Sequence, residues 1–476
     1  MKSKIAALML ATAAVLPTAA QELRSTYFME TSNYRHEMNP ALLDAPYMSV
    51  PFVLGNLNLG LTGNMGLEKF IYKMQPGWQG YGVEGRQYTT FMHPSVNAGQ
   101  FLGELSDKNR LQMHFKYQLA GVAWRGFGGV NVIEMNLRSN LGMVLPKTLF
   151  EFMKTTGAQD DYTIDDLGIR TENYVELGFG HSRKLDDQWT VGAKVKFLFG
   201  LGYADMNVNK LNLHMSDDHW DIDGDVKVSA SLMSSTLEYE PADKNYRDPA
   251  TGQLTNRRRI KGIDEFKAGL SGFGMAVDLG ATYKLNDDWT FSAALTDFGF
   301  IGWSKAHQAS SAGTWTFDGF EDFYAGGVEE EGNKLDDQLE DLTDDLEEIF
   351  SVYEEEQAQK TDTRMLAATV NLGAEYTLPV YRNLRFGALY TGRFAGKYSH
   401  HQGQVSATIR PLKWLEYTVN VAAGTAGVTS GMVLDLHAKH FNFFIGTDRF
   451  MGKLSKQGIP LKNSNASVSL GMSIPF

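Results

Sequence analysis

The sequence has 476 residues and no cysteine. That excludes disulfide scaffolds, zinc–cysteine centres, thiol nucleophiles and a lipid-bearing N-terminal cysteine. After residue 20 no apolar run approaches the roughly eighteen residues of a membrane-spanning helix, so no helical span is expected. Proline is sparse, at 13 residues, and no Gly-X-Y period exists, which excludes a collagen-like rod. There is no phosphate-binding loop, and a net charge of −12 makes the chain a poor partner for nucleic acid. What is present points to a folded chain. It is 43% hydrophobic and 12% aromatic with 48 glycines, enough for two or three ordinary domains or one large all-β domain.

Residues 1–20 have the form of a secretory signal peptide. Lys2 and Lys4 are basic, Ile5 to Leu16 is apolar apart from Thr12, and Thr18-Ala19-Ala20 offers small residues for cleavage near Ala20. The mature chain is expected to be exported. Residues 21–48 precede the first strand, and residues 49–476 form the main body, with long connections at 205–265 and 304–364.

The dominant pattern in that body has period two. Ala466, Val468, Leu470, Met472, Ile474 and Phe476 alternate with Ser467, Ser469, Gly471, Ser473 and Pro475. Val191, Ala193, Val195, Phe197 and Phe199 alternate with Thr190, Gly192, Lys194, Lys196 and Leu198. The same holds for 277–285, 370–378 and 415–423. Alternation puts the two sets on opposite faces of a strand. One face is apolar; the other carries Glu176, Lys194, Lys196 and Asp278 early in the chain and Glu375, Arg385 and Arg410 later. Lys284, Asp435 and His437 fall on the same face. A lipid-facing exterior and a polar lumen require this pattern, so the expected fold is an all-β transmembrane antiparallel barrel of about fourteen strands.

The connections agree. Asp186-Asp187-Gln188 and Asn286-Asp287-Asp288 are short polar turns, followed at once by Trp189 and Trp289; Trp414 follows a third turn. Tryptophan beside a turn fits a membrane-interface aromatic girdle. Residues 64–108 and 304–364 have weak strand pattern, and 205–265 reads as strands that extend beyond the membrane and then a polar loop; these are the longer connections expected on the outer side. A barrel of about fourteen strands is too wide for its own side chains to fill. Residues 21–48, with Arg35, His36 and Glu37, offer ion-pair partners to the wall and are expected to plug it.

Residues 329–356 hold fourteen acidic residues against one lysine, Lys334. Leu335, Leu339, Leu342, Leu346, Ile349 and Tyr353 recur at spacings of four and three, one apolar stripe of a helix. This acidic extracellular insert is expected to be helical, as a solvated loop helix or as a docking surface for a protein partner. Asp217, Asp218, Asp221, Asp223 and Asp225 crowd Gly224, but their order is not that of a calcium loop. Arg257-Arg258-Arg259 with Lys261 reads as a basic loop. Ser399-His400-His401 has no readable acid partner. No catalytic residue, metal site or cofactor is expected, and the chain is not read as an enzyme.

Leu23-Arg24-Ser25-Thr26-Tyr27-Phe28, Tyr34-Arg35-His36 and Met38-Asn39-Pro40-Ala41-Leu42, with the hairpins and the last strand, resemble an uncharacterised family of Gram-negative outer-membrane β-barrels. Asn39, Pro40 and Ala41 also resemble the N-P-A segment of the long-chain fatty acid transporter family. In those transporters the N-terminal segment folds into the lumen as a hatch, and a related barrel family serves type IX secretion. The resemblance implies an outer-membrane location among outer-membrane lipid, plug residues at Arg35, His36, Asn39, Pro40 and Ala41, and passive uptake of a hydrophobic ligand. The alternative is an interaction or secretion-associated barrel that docks a protein through its loops. Phe317, Phe320, Phe323 and Tyr324 are candidates for an apolar patch in the uptake reading. The terminal Phe476 resembles the signal read by the barrel-insertion machinery.

Overall fold

The computed structural model describes residues 23–49, 55–83, 87–216, 219–232, 235–248, 251–265, 267, 269–311, 314–317, 351–355, 360–449 and 465–476. The signal-peptide reading, Asp217 and Asp218, Phe320, Phe323 and Tyr324, and nearly all of the acidic insert lie outside these residues.

Fourteen of the strands make the ring. They are β1 (Leu57–Gly63), β2 (Lys108–Gly126), β3 (Gly129–Pro146), β4 (Asp161–Lys184), β5 (Trp189–Met215), β6 (Gly272–Lys284) and β7 (Trp289–Ser311). Then come β8 (Ala368–Thr377), β9 (Leu384–Phe394), β10 (His400–Leu412), β11 (Leu415–Gly424), β12 (Gly427–Ala438), β13 (Phe441–Thr447) and β14 (Ala466–Pro475). Each pairs antiparallel with the next, and β14 pairs with β1, which closes the barrel. A three-residue piece, Tyr47–Ser49, continues β1 downward between β14 and β2.

The alternation decides which way each side chain points. Along β5, Gly192, Lys194, Lys196 and Leu198 are buried while Ala193 and Val195 are exposed. Along β11, Glu416, Thr418, Asn420 and Ala422 are buried, and Val419 and Val421 are exposed. The inward face of these strands is therefore largely polar and the outward face is an apolar band, the inverse of a water-soluble β-sandwich. Among the described residues no helix is long and apolar enough to cross a membrane.

The two ends differ. On one side the connections are short: Phe127-Gly128, 185–188, 285–288, 378–383, 413–414 and 439–440. In two of these turns an Asx side chain organises the backbone. Asp186 Oδ1 accepts from the amides of Gln188 and Trp189, and Asn286 Oδ1 accepts from those of Asp288 and Trp289. Lys284 belongs here and not to the lumen: as the last residue of β6 it lies beside the turn and reaches Asp287 there at 2.8 Å.

On the other side the chain is elaborated. Strand Trp220–Leu232 pairs with the outer half of β5, and Lys360–Met365 pairs with β7. Residues Val352–Glu354, at the end of the acidic insert, also form a strand against β7. The helical stripe therefore does not reach Tyr353: pairing with Ser310 takes over there. Beside the rim, Phe70, Phe91, Phe101 and Phe150 pack into a satellite cluster under the first long loop.

Candidate functional site: the filled lumen and its outer cavity

Residues 23–46 lie inside the ring, with Tyr27, Met29, His36 and Asn39 at 1% exposure or less. The wall makes room for them with glycine. Gly192 on β5 and Gly280 on β6 are directly paired. A Cβ on Gly280 would stand 2.0 Å from Asn39 Oδ1, and one on Gly192 would stand 2.3 Å from the carbonyl carbon of Pro40. Neither position tolerates a side chain, so the glycine pair is a notch into which Asn39-Pro40-Ala41 fits. Asn39 is locally fixed as well. Its Oδ1 accepts from the Ala41 amide at 3.0 Å, capping a short 3₁₀ turn with Pro40 at its first position, and its Nδ2 donates to the Tyr27 hydroxyl at 3.1 Å. Farther round, Gly373 and Gly387 accept the rings of Tyr27 and Phe28 in the same way.

Charge fixes the rest. Glu37 meets Lys116 on β2 at 2.9 Å, both almost fully buried, and accepts from Asn56 at 2.7 Å. His36 Nε2 is 2.7 Å from the Tyr47 hydroxyl; its other nitrogen faces Lys194, which bonds Glu134. Glu30 meets Arg385 at 2.8 Å and Arg410 at 3.7 Å. Arg385 also bonds Glu416, which accepts from the Thr31 amide at 3.0 Å. Asp448 accepts from the amides of Arg24 and Ser25 at 2.6 and 2.9 Å.

A second cluster lies in the wall. Lys196 is 2.7 Å from Asp278, 2.7 Å from Asp297 and 3.8 Å from Glu176, while Arg138 holds Glu176 and Asp297 at 3.0 Å each. Lys196, Asp278 and Glu176 are thus brought together, and Lys194 is set apart with Glu134. Glu375 lies 4.0 Å from Arg385. Arg35 bonds Asp44 within its own segment. Trp189 and Trp289 face outward near the turns, against Tyr283 and Tyr376. Trp414 and Phe476 are exposed.

Sequence reasoning missed Glu134, Asp448 and the glycine notches. Only the notches left a signal: glycine at inward positions of consecutive strands, which marks close backbone approach.

At the outer rim the basic cluster finds acids. Arg258 bonds Glu354 at 2.6 Å and lies over the Tyr239 ring, and Arg257 is 3.5 Å from Glu355. It is therefore not a bare loop. Burial resists ionisation of Glu354, but hydrogen bonds from His307, Arg258 and Tyr239 outweigh it and hold this carboxyl below its ordinary pKa.

Nearby is a cavity of about 550 Å³ lined by Arg170, Arg364, Met365, Phe394, Lys397 and Tyr398, among others. Met365 and Phe394 are 60% and 50% exposed, whereas Arg170 and Arg364 converge on the buried Asp205. The lining thus comes from both faces of the wall. A smaller recess shares Arg170, Met365 and Tyr398 and adds His114 and Arg393.

Solved structures with a similar architecture include the Ralstonia pickettii toluene transporter TbuX, 9% identical over 92% of each chain with a TM-score of 0.38. The P. putida toluene transporter TodX is 9% identical over 94% of each chain, TM-score 0.40. A Pseudomonas aeruginosa FadL homologue is 11% identical, covering 97% of this chain and 99% of its own, TM-score 0.38. No curated protein sequence matches the chain. Residues 40–448 match the Family of unknown function (DUF5723), and the chain, a closed barrel of outer-membrane type, belongs to that family.

Proposed function

We propose that this barrel takes up a hydrophobic small molecule passively across the outer membrane, with residues 23–46 as the plug that shifts to let it through. The observation that carries this reading is the outer cavity. Its lining joins an exposed apolar edge, Met365 and Phe394, to the inward-facing Arg170 and Arg364. An apolar molecule can leave a lipid surface across such an edge without crossing open water, and apolar lining with a few convergent polar groups is the usual form of a ligand site. Arg393 and Lys397 have no carboxylate within 4.0 Å among the described residues, which favours a molecule bearing an anionic group. The plug would then act as the gate, because it fills the lumen that a cargo has to cross.

Native mass spectrometry of the protein, extracted in mild detergent from its own membrane, tests this. A bound apolar small molecule, lost in Phe394→Asp with Met365→Asp, is the expected result. A co-purifying protein with no small molecule would replace uptake by the docking reading.

A further inference from the structure

The connection between β9 and β10, residues 395–399, reaches across the lumen instead of standing out from its own hairpin. β10 and β3 are seven strands apart in either direction round the ring, yet the connection lands on β2, β3 and β4. Arg110 Nε donates to the Lys397 carbonyl at 3.3 Å, and Gln112 Nε2 donates to the Tyr398 carbonyl at 2.5 Å. Lys397 Nζ donates to the Leu167 carbonyl at 3.4 Å. The Arg170 guanidinium lies 5.3 Å from the centre of the Tyr398 ring.

The opposite wall is shaped to receive this segment. Paired residues make three inward rows across β2, β3 and β4. Arg110, Val144 and Gly168 lie nearest the rim, then Gln112, Gly142 and Arg170, then His114, Asn140 and Glu172. A Cβ on Gly142 would stand 2.8 Å from Tyr398 Cδ1, and one on Gly168 would stand 2.8 Å from the Tyr398 hydroxyl. The ring thus fills a seat that two glycines leave open, as Asn39 and Pro40 do farther down the lumen.

Tyr398 occupies the two upper rows. The third row, with Arg393, lines the smaller recess, of about 50 Å³, while Gly396 and Lys397 line the outer cavity of about 550 Å³. Tyr398 borders both spaces, so one short segment is the partition between them.

The partition is a unit in itself and is held lightly. Gly396, with φ +61°, opens a single 3₁₀ turn, Gly396–Tyr398, in a conformation that costs glycine little. Ser399 Oγ accepts from the Ala395 amide at 2.9 Å and donates to the Gly396 carbonyl at 2.7 Å. Its ties to the wall are hydrogen bonds and ring contacts, and Lys397 has no carboxylate within 4.0 Å among the described residues. The N-terminal segment, in contrast, is anchored by the ion pairs of Glu37 with Lys116 and Glu30 with Arg385. Separating a few neutral hydrogen bonds costs far less than parting buried charges.

We propose that residues 395–399 are a strap that closes the lumen at its outer end. It lifts as a unit on its two strand ends and joins the outer cavity to the recess beneath, while the N-terminal segment stays seated. This goes beyond the uptake reading and requires no particular cargo.

The chain has no cysteine, so an introduced thiol reports its own site alone. His114→Cys puts one in the recess beneath the strap, and Thr251→Cys puts one in the exposed outer loop. The full-length protein in detergent is treated with 2-sulfonatoethyl methanethiosulfonate, and modification is followed by mass spectrometry. The His114→Cys thiol is expected to react about a hundred-fold more slowly than the Thr251→Cys thiol. Adding Gly142→Val, whose side chain takes the place of the ring, should raise its rate about ten-fold. Tyr398→Phe should leave it unchanged, because the buried hydroxyl has no hydrogen-bond partner among the described residues. Equal rates for His114→Cys and Thr251→Cys would mean that nothing is closed. A His114→Cys thiol that reacts only on unfolding, or that ignores Gly142→Val, would make the segment a fixed part of the wall. Any of these results overturns the proposal. Should Gly142→Val fail to fold, as judged by loss of the folded band on unheated gels, Gln112→Leu takes its place, since it removes the shortest bond to the strap. Detection of a bound ligand in the wild type is unaffected by these rates, so the two ideas fail separately.

Discussion

Gly192 and Gly280 face each other across neighbouring strands, and the Asn39 side chain and the Pro40 backbone occupy the space that two side chains would fill. The seat of the N-terminal segment is therefore shaped by the wall, and it can be spoiled from the wall without touching the segment. Gly280→Val is expected to leave the ring closed and to unseat the segment, at a cost of about 1–3 kcal/mol. Limited proteolysis should then cut within residues 23–46, where the wild type resists. A segment as resistant as before would show that the notch is not what holds it.

The Glu37–Lys116 pair makes a different prediction. Both groups are buried, so removing one strands the other. Lys116→Met should destabilise the folded barrel by about 3–5 kcal/mol, whereas Lys116→Met with Glu37→Gln should recover most of that, because a neutral amide is far less costly to bury than a lone charge. Denaturant unfolding of the three variants measures the difference. Equal losses in the single and double variants would mean that the pair contributes packing, not charge balance.

Lys196 stands among three carboxylates, two of which Arg138 also bonds. Its loss should be worse than the loss of any one acid. Lys196→Met is expected to prevent accumulation of folded barrel, while Asp278→Asn, which removes a surplus negative charge, should be tolerated. Heat-modifiable mobility on gels reads both.

Glu354 gives a pH dependence outside the membrane. Its carboxyl is held below the ordinary value of 4.5, so the folded state binds its proton less readily than the unfolded chain does. The resulting stabilisation is full above that ordinary value and is lost as pH falls through the folded one. The protection of the strand 352–354 amides, with exchange corrected for its intrinsic pH dependence, should therefore stay constant from about pH 8 to about pH 5 and fall as the pH drops below the ordinary value of Glu354. Glu354→Gln should abolish that step; a step that persists would assign it to another group.

Much of the wall was legible because a strand's period is two: Val195 and Lys196 declare their faces by themselves. Partners were not legible. Arg24 and Asp448 stand 424 positions apart, and nothing in either residue's neighbourhood names the other. Alternation says that Glu134 and Lys194 both point inward but not that they meet, since that depends on strand register. Arg35 was expected at the wall and instead bonds Asp44, because a nearby carboxylate in the same segment costs less order to reach. The outer cavity was invisible for the same reason: Arg170, Met365 and Phe394 come from three distant stretches that only the closed ring brings together.

The strands of the ring differ greatly in length. β5 has 27 residues and β13 has 7. At about 3.3 Å per residue the first stands several tens of ångströms above the second, even when tilted. Among the described residues the wall is thus cut on a slant, a tall screen on one flank and a low sill on the other. On such a slant the described strands screen the lumen from the side of β5 far more than from the side of β13.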